Sequence, residues 1–83
     1  MTKMMSLIEK ERLKTPMSSE MFAHRVGMTS TTYSRQKNGR QAVGLDSIQA
    51  YGRYFRETGN VEILKALMAY VFSLEPDQIS IKE

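Results

Sequence analysis

Eighty-three residues, of which 41% are hydrophobic and 25% charged, set the scale of one small domain with ordinary globular composition. The absence of cysteine excludes a disulfide framework and a thiolate metal site, and suits a reducing cytoplasm. The longest apolar run, 61–74, has 14 positions interrupted by Glu62 and Lys65, too short to span a bilayer, and the chain opens on Lys3, Glu9, Lys10, Glu11, Arg12 and Lys14 with no apolar stretch of the signal-peptide kind.

A first helix is expected over 2–14. Met4, Met5, Leu7, Ile8 and Leu13 supply its apolar stripe, and Lys3, Glu9, Lys10 and Lys14 face outward. Pro16 ends it, because the residue before a proline is driven out of the α region. Ser18 then caps a second helix, with Glu20 in its first turn against the positive end of the dipole. Phe22, Ala23 and Val26 form an apolar set at i, i+1 and i+4, followed by Gly27. The chain must reverse here within three or four residues, and glycine accepts the positive φ such a turn demands. Ala23 is small enough to let the next helix cross closely over this one. Thr29 sits where an N-cap belongs, and the helix it opens exposes Ser30, Thr31, Ser34, Arg35 and Asn38. Two short helices about a tight turn, over 18–38, make a helix-turn-helix unit.

Asn38-Gly39 closes the third helix, with Gly39 as its left-handed C′ residue, and 40–44 forms a loop. A fourth helix begins near Leu45, with Asp46 in its first turn and Leu45, Ile48, Tyr51, Gly52 and Phe55 on one face. Gly52 there costs roughly 1 kcal/mol of helix propensity relative to alanine, so a close helix–helix contact is expected. Gly59-Asn60 is the next break. The fifth helix, 61–74, is apolar at 11 of 14 positions, and a helix apolar nearly all round cannot leave one side in water. Either the domain wraps it or its outer surface meets another subunit. A homodimer interface at Leu64, Leu67, Met68, Val71 and Phe72 is the favoured reading. Pro76 stops this helix, and 76–83, with Ile79 and Ile81 alternating, forms either a short strand at the subunit contact or a disordered tail. The domain proper is therefore 1–75, and the seven methionines read as fillers of an irregular core.

The net charge of +3 is unevenly spread. Residues 1–23 carry four bases and three acids, a balance of +1; residues 57–83 carry two bases and five acids, a balance of −3. Between them, 24–56 holds Arg25, Arg35, Lys37, Arg40, Arg53 and Arg56 against Asp46 alone, a balance of +5. A basic middle around a polar helix is the footprint of a phosphate-binding face; the plain alternative is a solvated basic surface.

Taken together, these residues resemble the phage repressor and Cro-type helix-turn-helix family, an XRE-like group with a lambda-repressor-like, all-α DNA-binding domain of five short helices. The resemblance covers roughly 7–56. It rests on Arg12 six residues before Ser18, on Phe22, Ala23, Val26, Gly27, Met28 and Tyr33 at the apolar and small positions of the unit, on Asn38-Gly39, and on Ile48, Tyr51, Gly52 and Phe55. Four places depart from the family pattern. Ser19 stands where many members carry a phosphate-clamping glutamine, and Gln36 replaces an apolar residue. Lys37 replaces the glutamate that pairs with the first-helix arginine, and Val43-Gly44 replaces a common Pro-Ser. The Lys37 change leaves three options for Arg12: a pair with Glu20, a solvated side chain, or a joint phosphate clamp with Lys37.

The resemblance implies that the third helix, 29–38, enters the major groove of double-stranded DNA. By register, Ser30, Thr31, Ser34 and Arg35 read bases. Arg35 is the sharpest of them, since a guanidinium can donate two parallel bonds to guanine, worth about 1–3 kcal/mol of discrimination. Phosphates would be held at Ser18, Ser19 and Thr29 and by Lys37, Asn38 and Arg40, contacts that set register without reading sequence. Tyr33 belongs to the core, and His24 lies on the outer side of the second helix with no second metal ligand. No partnered nucleophile, Gly-rich phosphate loop, paired carboxylates or cofactor motif points to an enzyme, and no cofactor is expected. The function implied is a dimeric transcriptional regulator of the cytoplasm, a repressor of phage or mobile-element type on a two-fold symmetric operator. The alternative is an antitoxin-type interaction protein, with a toxin partner docked on the acidic C-terminal third and DNA binding kept for autoregulation.

Overall fold

The computed structural model describes residues 2–73. These form five helices in the order α1 (Lys3–Leu13), α2 (Ser19–Val26), α3 (Ser30–Lys37), α4 (Leu45–Glu57) and α5 (Val61–Phe72), with no strand among the described residues. The all-α, five-helix architecture read from the sequence is the one found. Four of the helices open on a side-chain cap. Thr2 Oγ1 accepts the Met5 N–H at 3.2 Å, Ser18 Oγ that of Met21 at 3.2 Å, Thr29 Oγ1 that of Thr32 at 3.1 Å and Asn60 Oδ1 that of Ile63 at 3.1 Å. Each bond satisfies an amide that the first turn cannot. α4 starts at Gly44 without one.

Phe22 of α2 is the centre of the core. Its ring meets Tyr33 of α3 and Tyr54 of α4 edge-on, both at 5.3 Å between centroids, and Phe55 at 6.3 Å. Such offset and edge-to-face contacts hold aromatic pairs together beyond their buried area. Met4, Met5 and Ile8 of α1 and Ile63, Ala66 and Leu67 of α5 complete the packed interior. α1 lies across α5 and α3, α2 against α3 and α4, and α4 along α5. The outcome is a scaffold of 32 × 25 × 20 Å that fixes α3 from its inner side alone.

Several details differ from the sequence expectation. Leu13 (66% exposed) and Leu45 (68%) stand in solvent rather than on their helices' buried faces, because each lies at the end of its helix, past the neighbour it would pack on. Leu67, expected at a subunit interface, is 3% exposed and belongs to the subunit's own core. Gly52 makes no close helix contact: a Cβ built on it would meet nothing within 4 Å. Glu9 does not face outward; its side chain is 13% exposed and turned toward α3. α5 closes at Phe72, where Ser73 adopts a left-handed φ of 55°, so the turn comes before Pro76. The expectations for residue 74 and for 76–83 lie outside the described residues.

Candidate nucleic-acid interface

The geometry of the interface begins at Gly27. Its φ of 103° is left-handed, and its N–H bonds the Ala23 and His24 carbonyls at 3.0 and 3.1 Å while the Met28 N–H reaches Ala23 O at 2.9 Å. These bonds end α2 and turn the chain within two residues, so that Thr29 can cap α3 at once. The Thr29 hydroxyl also donates to Thr32 Oγ1 at 2.9 Å. At the other end Gly39, φ 75°, lets the Arg40 N–H return to Arg35 O at 2.8 Å, which closes the last turn of α3 and leaves Arg40 exposed just beyond it.

Between those stops α3 is two-sided. Tyr33 and Gln36 are buried, while Ser30, Thr31, Ser34 and Arg35 are all exposed, as is the capping Asn38. At 3.6 residues per turn these five exposed positions fall within an arc of about 140°. The four residues expected to read bases thus share one solvent-facing strip. Asn38 Nδ2 lies 3.4 Å from Ser34 Oγ, a weak bond across the last turn. Of the residues expected on phosphate, Ser18, Thr29, Asn38 and Arg40 are exposed and Ser19 half-buried. The Ser18 and Thr29 hydroxyls are engaged as caps. Arg35 and Arg40 make no ion pair among the described residues. A cleft of about 400 Å³ between the starts of α2 and α3 is lined by Ser18, Glu20, Met21, His24, Met28, Thr29 and Ser30, so a carboxylate sits beside the helix starts offered to phosphate.

Lys37 takes a different position from that of an open phosphate ligand. It is half-buried, with Nζ 4.0 Å from Glu9 Oε1 and 5.9 Å above the Tyr33 ring. Glu9 is the hub of a cluster joining α1 to α3. It accepts from Arg12 Nε at 2.9 Å, from a second Arg12 nitrogen, and from the Tyr33 hydroxyl. Arg12 Nη1 also donates to the Met17 carbonyl at 3.0 Å. Arg12 is therefore paired with Glu9 one turn back in its own helix; it is neither solvated, nor paired with Glu20, nor free to clamp a phosphate with Lys37. Burial pushes the Glu9 carboxyl up, yet the bonds from Arg12 and Tyr33 and the Lys37 and Arg12 charges outweigh it and hold the carboxyl below its ordinary value. The bond to Glu9 raises Arg12, and burial first, then the bond to Glu9, raises the Tyr33 phenol.

A second link ties α3 to α4. Gln36 is 2% exposed; its Nε2 donates to Ser47 Oγ at 2.7 Å and its Oε1 accepts from the Tyr51 hydroxyl at 2.7 Å. Burial raises the Tyr51 phenol well above its ordinary value, so this hydroxyl remains a donor throughout the working pH range. Neither Glu9 nor the Gln36–Ser47–Tyr51 chain was among the expected functional residues. One signal for Glu9 was spacing: it lies one turn before Arg12 in the same helix, the separation at which a carboxylate and a guanidinium meet. Away from this face, an apolar groove of about 280 Å³ runs between α4 and α5, lined by Ile48, Gly52, Leu64, Leu67, Met68, Val71 and Phe72. Set against known protein families, curated proteins and solved structures, the chain matches none.

Proposed function

We propose that this chain is a sequence-specific, double-stranded DNA-binding transcriptional regulator of the repressor and Cro type, acting in the cytoplasm as a homodimer and without catalysis. The observation that supports it best is the strip on α3. Ser30, Thr31, Ser34 and Arg35 point to solvent together from a helix whose inner side is bolted to α1 through Glu9 and to α4 through Gln36. A reading surface must be rigid as well as exposed, because a misplaced guanidinium cannot make both of its bonds to a guanine edge. Arg40 beyond the helix end and the start of α2 supply phosphate contacts that set the docking angle. The mechanism is steric: two copies on a symmetric site occupy DNA that polymerase would otherwise use, with half-sites about one helical turn apart.

Selection of preferred sites from random duplexes tests this reading, followed by mobility shifts over a range of salt. Recovered sites are expected to carry two-fold symmetry. Arg35→Ala is expected to relax preference at one base position per half-site, by about 1–3 kcal/mol, and to leave random-sequence binding nearly unchanged. No shift on any duplex at low salt, or equal losses on selected and random DNA for Arg35→Ala, would overturn it.

A further inference from the structure

Three side chains near the Gly27 turn are left over once the core and the α3 strip have taken theirs. Met21 is 58% exposed, a large apolar side chain outside the packed core. His24 is exposed as well, and its imidazole makes no hydrogen bond or ion pair among the described residues. Met28 is half-buried and touches the core from one side only. All three line the cleft of about 400 Å³ between the starts of α2 and α3, and Glu20 is the one carboxylate of that lining. The fold brings them together. Met21 and His24 stand at i and i+3 of α2, where Cβ atoms are about 5–6 Å apart. Met28 follows the helix, yet the turn folds it back, its N–H bonding the Ala23 carbonyl at 2.9 Å. Core packing accounts for Met28 alone; it leaves Met21 in water without a reason.

The donors select the ligand. Along the sequence His24 has no second imidazole and no thiolate with which to share a metal; in the cleft its neighbours are thioethers. Thioether sulfur is a soft, neutral donor that favours copper(I), and imidazole serves the same ion. Zinc takes three or four imidazole, thiolate or carboxylate ligands, and no group of three such residues occurs among the described residues. The Glu20 charge makes the cleft more hospitable to a cation without having to bind it. We infer that this cleft is a binding site for a soft monovalent metal ion, copper(I), held by the sulfurs of Met21 and Met28 and a ring nitrogen of His24. Methionine is unbranched and turns about three bonds, so the sulfurs can close on the ion while the helices stay in place. None of the three ligands is among the residues assigned to bases or phosphates, and the site stands or falls apart from the DNA-binding reading.

Competition with a chromophoric copper(I) chelator, run anaerobically on the full chain without DNA, tests the site. The parent is expected to withdraw one equivalent of copper. Met21→Leu, His24→Gln and Met28→Leu are each expected to weaken binding by about 10-fold or more. The first two change exposed side chains and the third conserves volume, so all three are expected to keep the parent's circular dichroism. Methyl NMR of the parent with silver(I), a redox-inert ion of the same preference, needs no substitution. The Met21 and Met28 methyl signals are expected to move and those of the other five methionines to stay, while zinc(II) moves none. Failure of the parent to withdraw copper would overturn the site. So would parent-like affinity in His24→Gln or in the double variant Met21→Leu with Met28→Leu, silver shifts at Met1 or Met17 in place of Met21 and Met28, or zinc held as tightly as copper.

Discussion

Glu9 fixes the helix that presents the exposed strip, although it bonds none of the strip's side chains. One carboxylate receives Arg12, the Tyr33 hydroxyl and the Lys37 charge, and so decides how α3 sits on α1. Charge-assisted bonds at a largely buried acceptor are worth about 1.5–3 kcal/mol, so Glu9→Ala is expected to destabilise by roughly that amount in urea unfolding. The pH dependence has a definite sign. The folded-state carboxyl lies below its unfolded value, so its contribution is complete above the ordinary carboxylate range and is lost as pH falls through the depressed value. The parent's stability is expected to decline on acidification in that window, and Glu9→Gln to flatten the decline. An unchanged pH profile for Glu9→Gln would show that other carboxylates govern acid unfolding. Lys37 follows from the same cluster. Because its charge is already held near Glu9 and the Tyr33 ring, Lys37→Ala is expected to change the salt dependence of DNA binding less than Arg40→Ala, whose loss should reduce the slope by about one. Equal slopes for the two variants would place Lys37 on a phosphate after all.

The helix-turn-helix element shows what a sequence states openly and what it leaves implicit. Its boundaries were legible because backbone chemistry is local. Pro16, Ser18, Gly27, Thr29 and Gly39 each satisfy or forbid something within four residues, and the exposed strip followed from helical period alone. The links between elements were not legible. That Glu9 turns inward and that Gln36 is buried depend on how helices cross, which no window of contiguous residues contains; the Arg12–Glu9 pair, one turn apart within α1, is local and was open to a reading by helical spacing. Gln36 is the clearest case. At an apolar position it looks like a departure, yet Ser47 and Tyr51 of α4 meet both ends of its amide. Gln36→Leu is expected to cost about 1–3 kcal/mol, since it leaves the buried Tyr51 hydroxyl without an acceptor, while Gln36→Leu with Tyr51→Phe recovers most of the loss by removing both partners. Additive losses in that cycle would mean the hydrogen bond itself contributes nothing to coupling. At the turn, Gly27→Ala meets no steric obstacle, so its cost is the left-handed backbone alone, about 1 kcal/mol or more. It should appear as a lower urea midpoint with an unchanged slope.

A whole molecule of this size has little stability to lose: at about 0.05–0.15 kcal/mol per residue, single core changes decide whether it folds. That limit separates two residues of α5 which the sequence placed together. Apolar content alone marks Leu67 and Phe72 as equals, and both fit an outward face meeting another subunit. In the fold, α5 turns Ile63, Ala66 and Leu67 into the core and leaves Phe72 in solvent, a division set by where α1 and α4 press on the helix rather than by its own composition. Leu67→Asp therefore acts on the subunit. It places an unpartnered carboxylate among buried apolar side chains, at a cost of several kcal/mol, and is expected to abolish the cooperative thermal transition and reduce helical circular dichroism at all protein concentrations. Phe72→Asp acts on the surface alone. It is expected to retain the parent's helicity and a sharp transition; under the homodimer proposed above it also loses the part of the melting temperature that depends on protein concentration, since a contact present only between folded copies stabilises by mass action. Should Leu67→Asp instead give a well-folded monomer, that side chain must escape the core, and the packing of α5 on α1 and α4 would have to be redrawn.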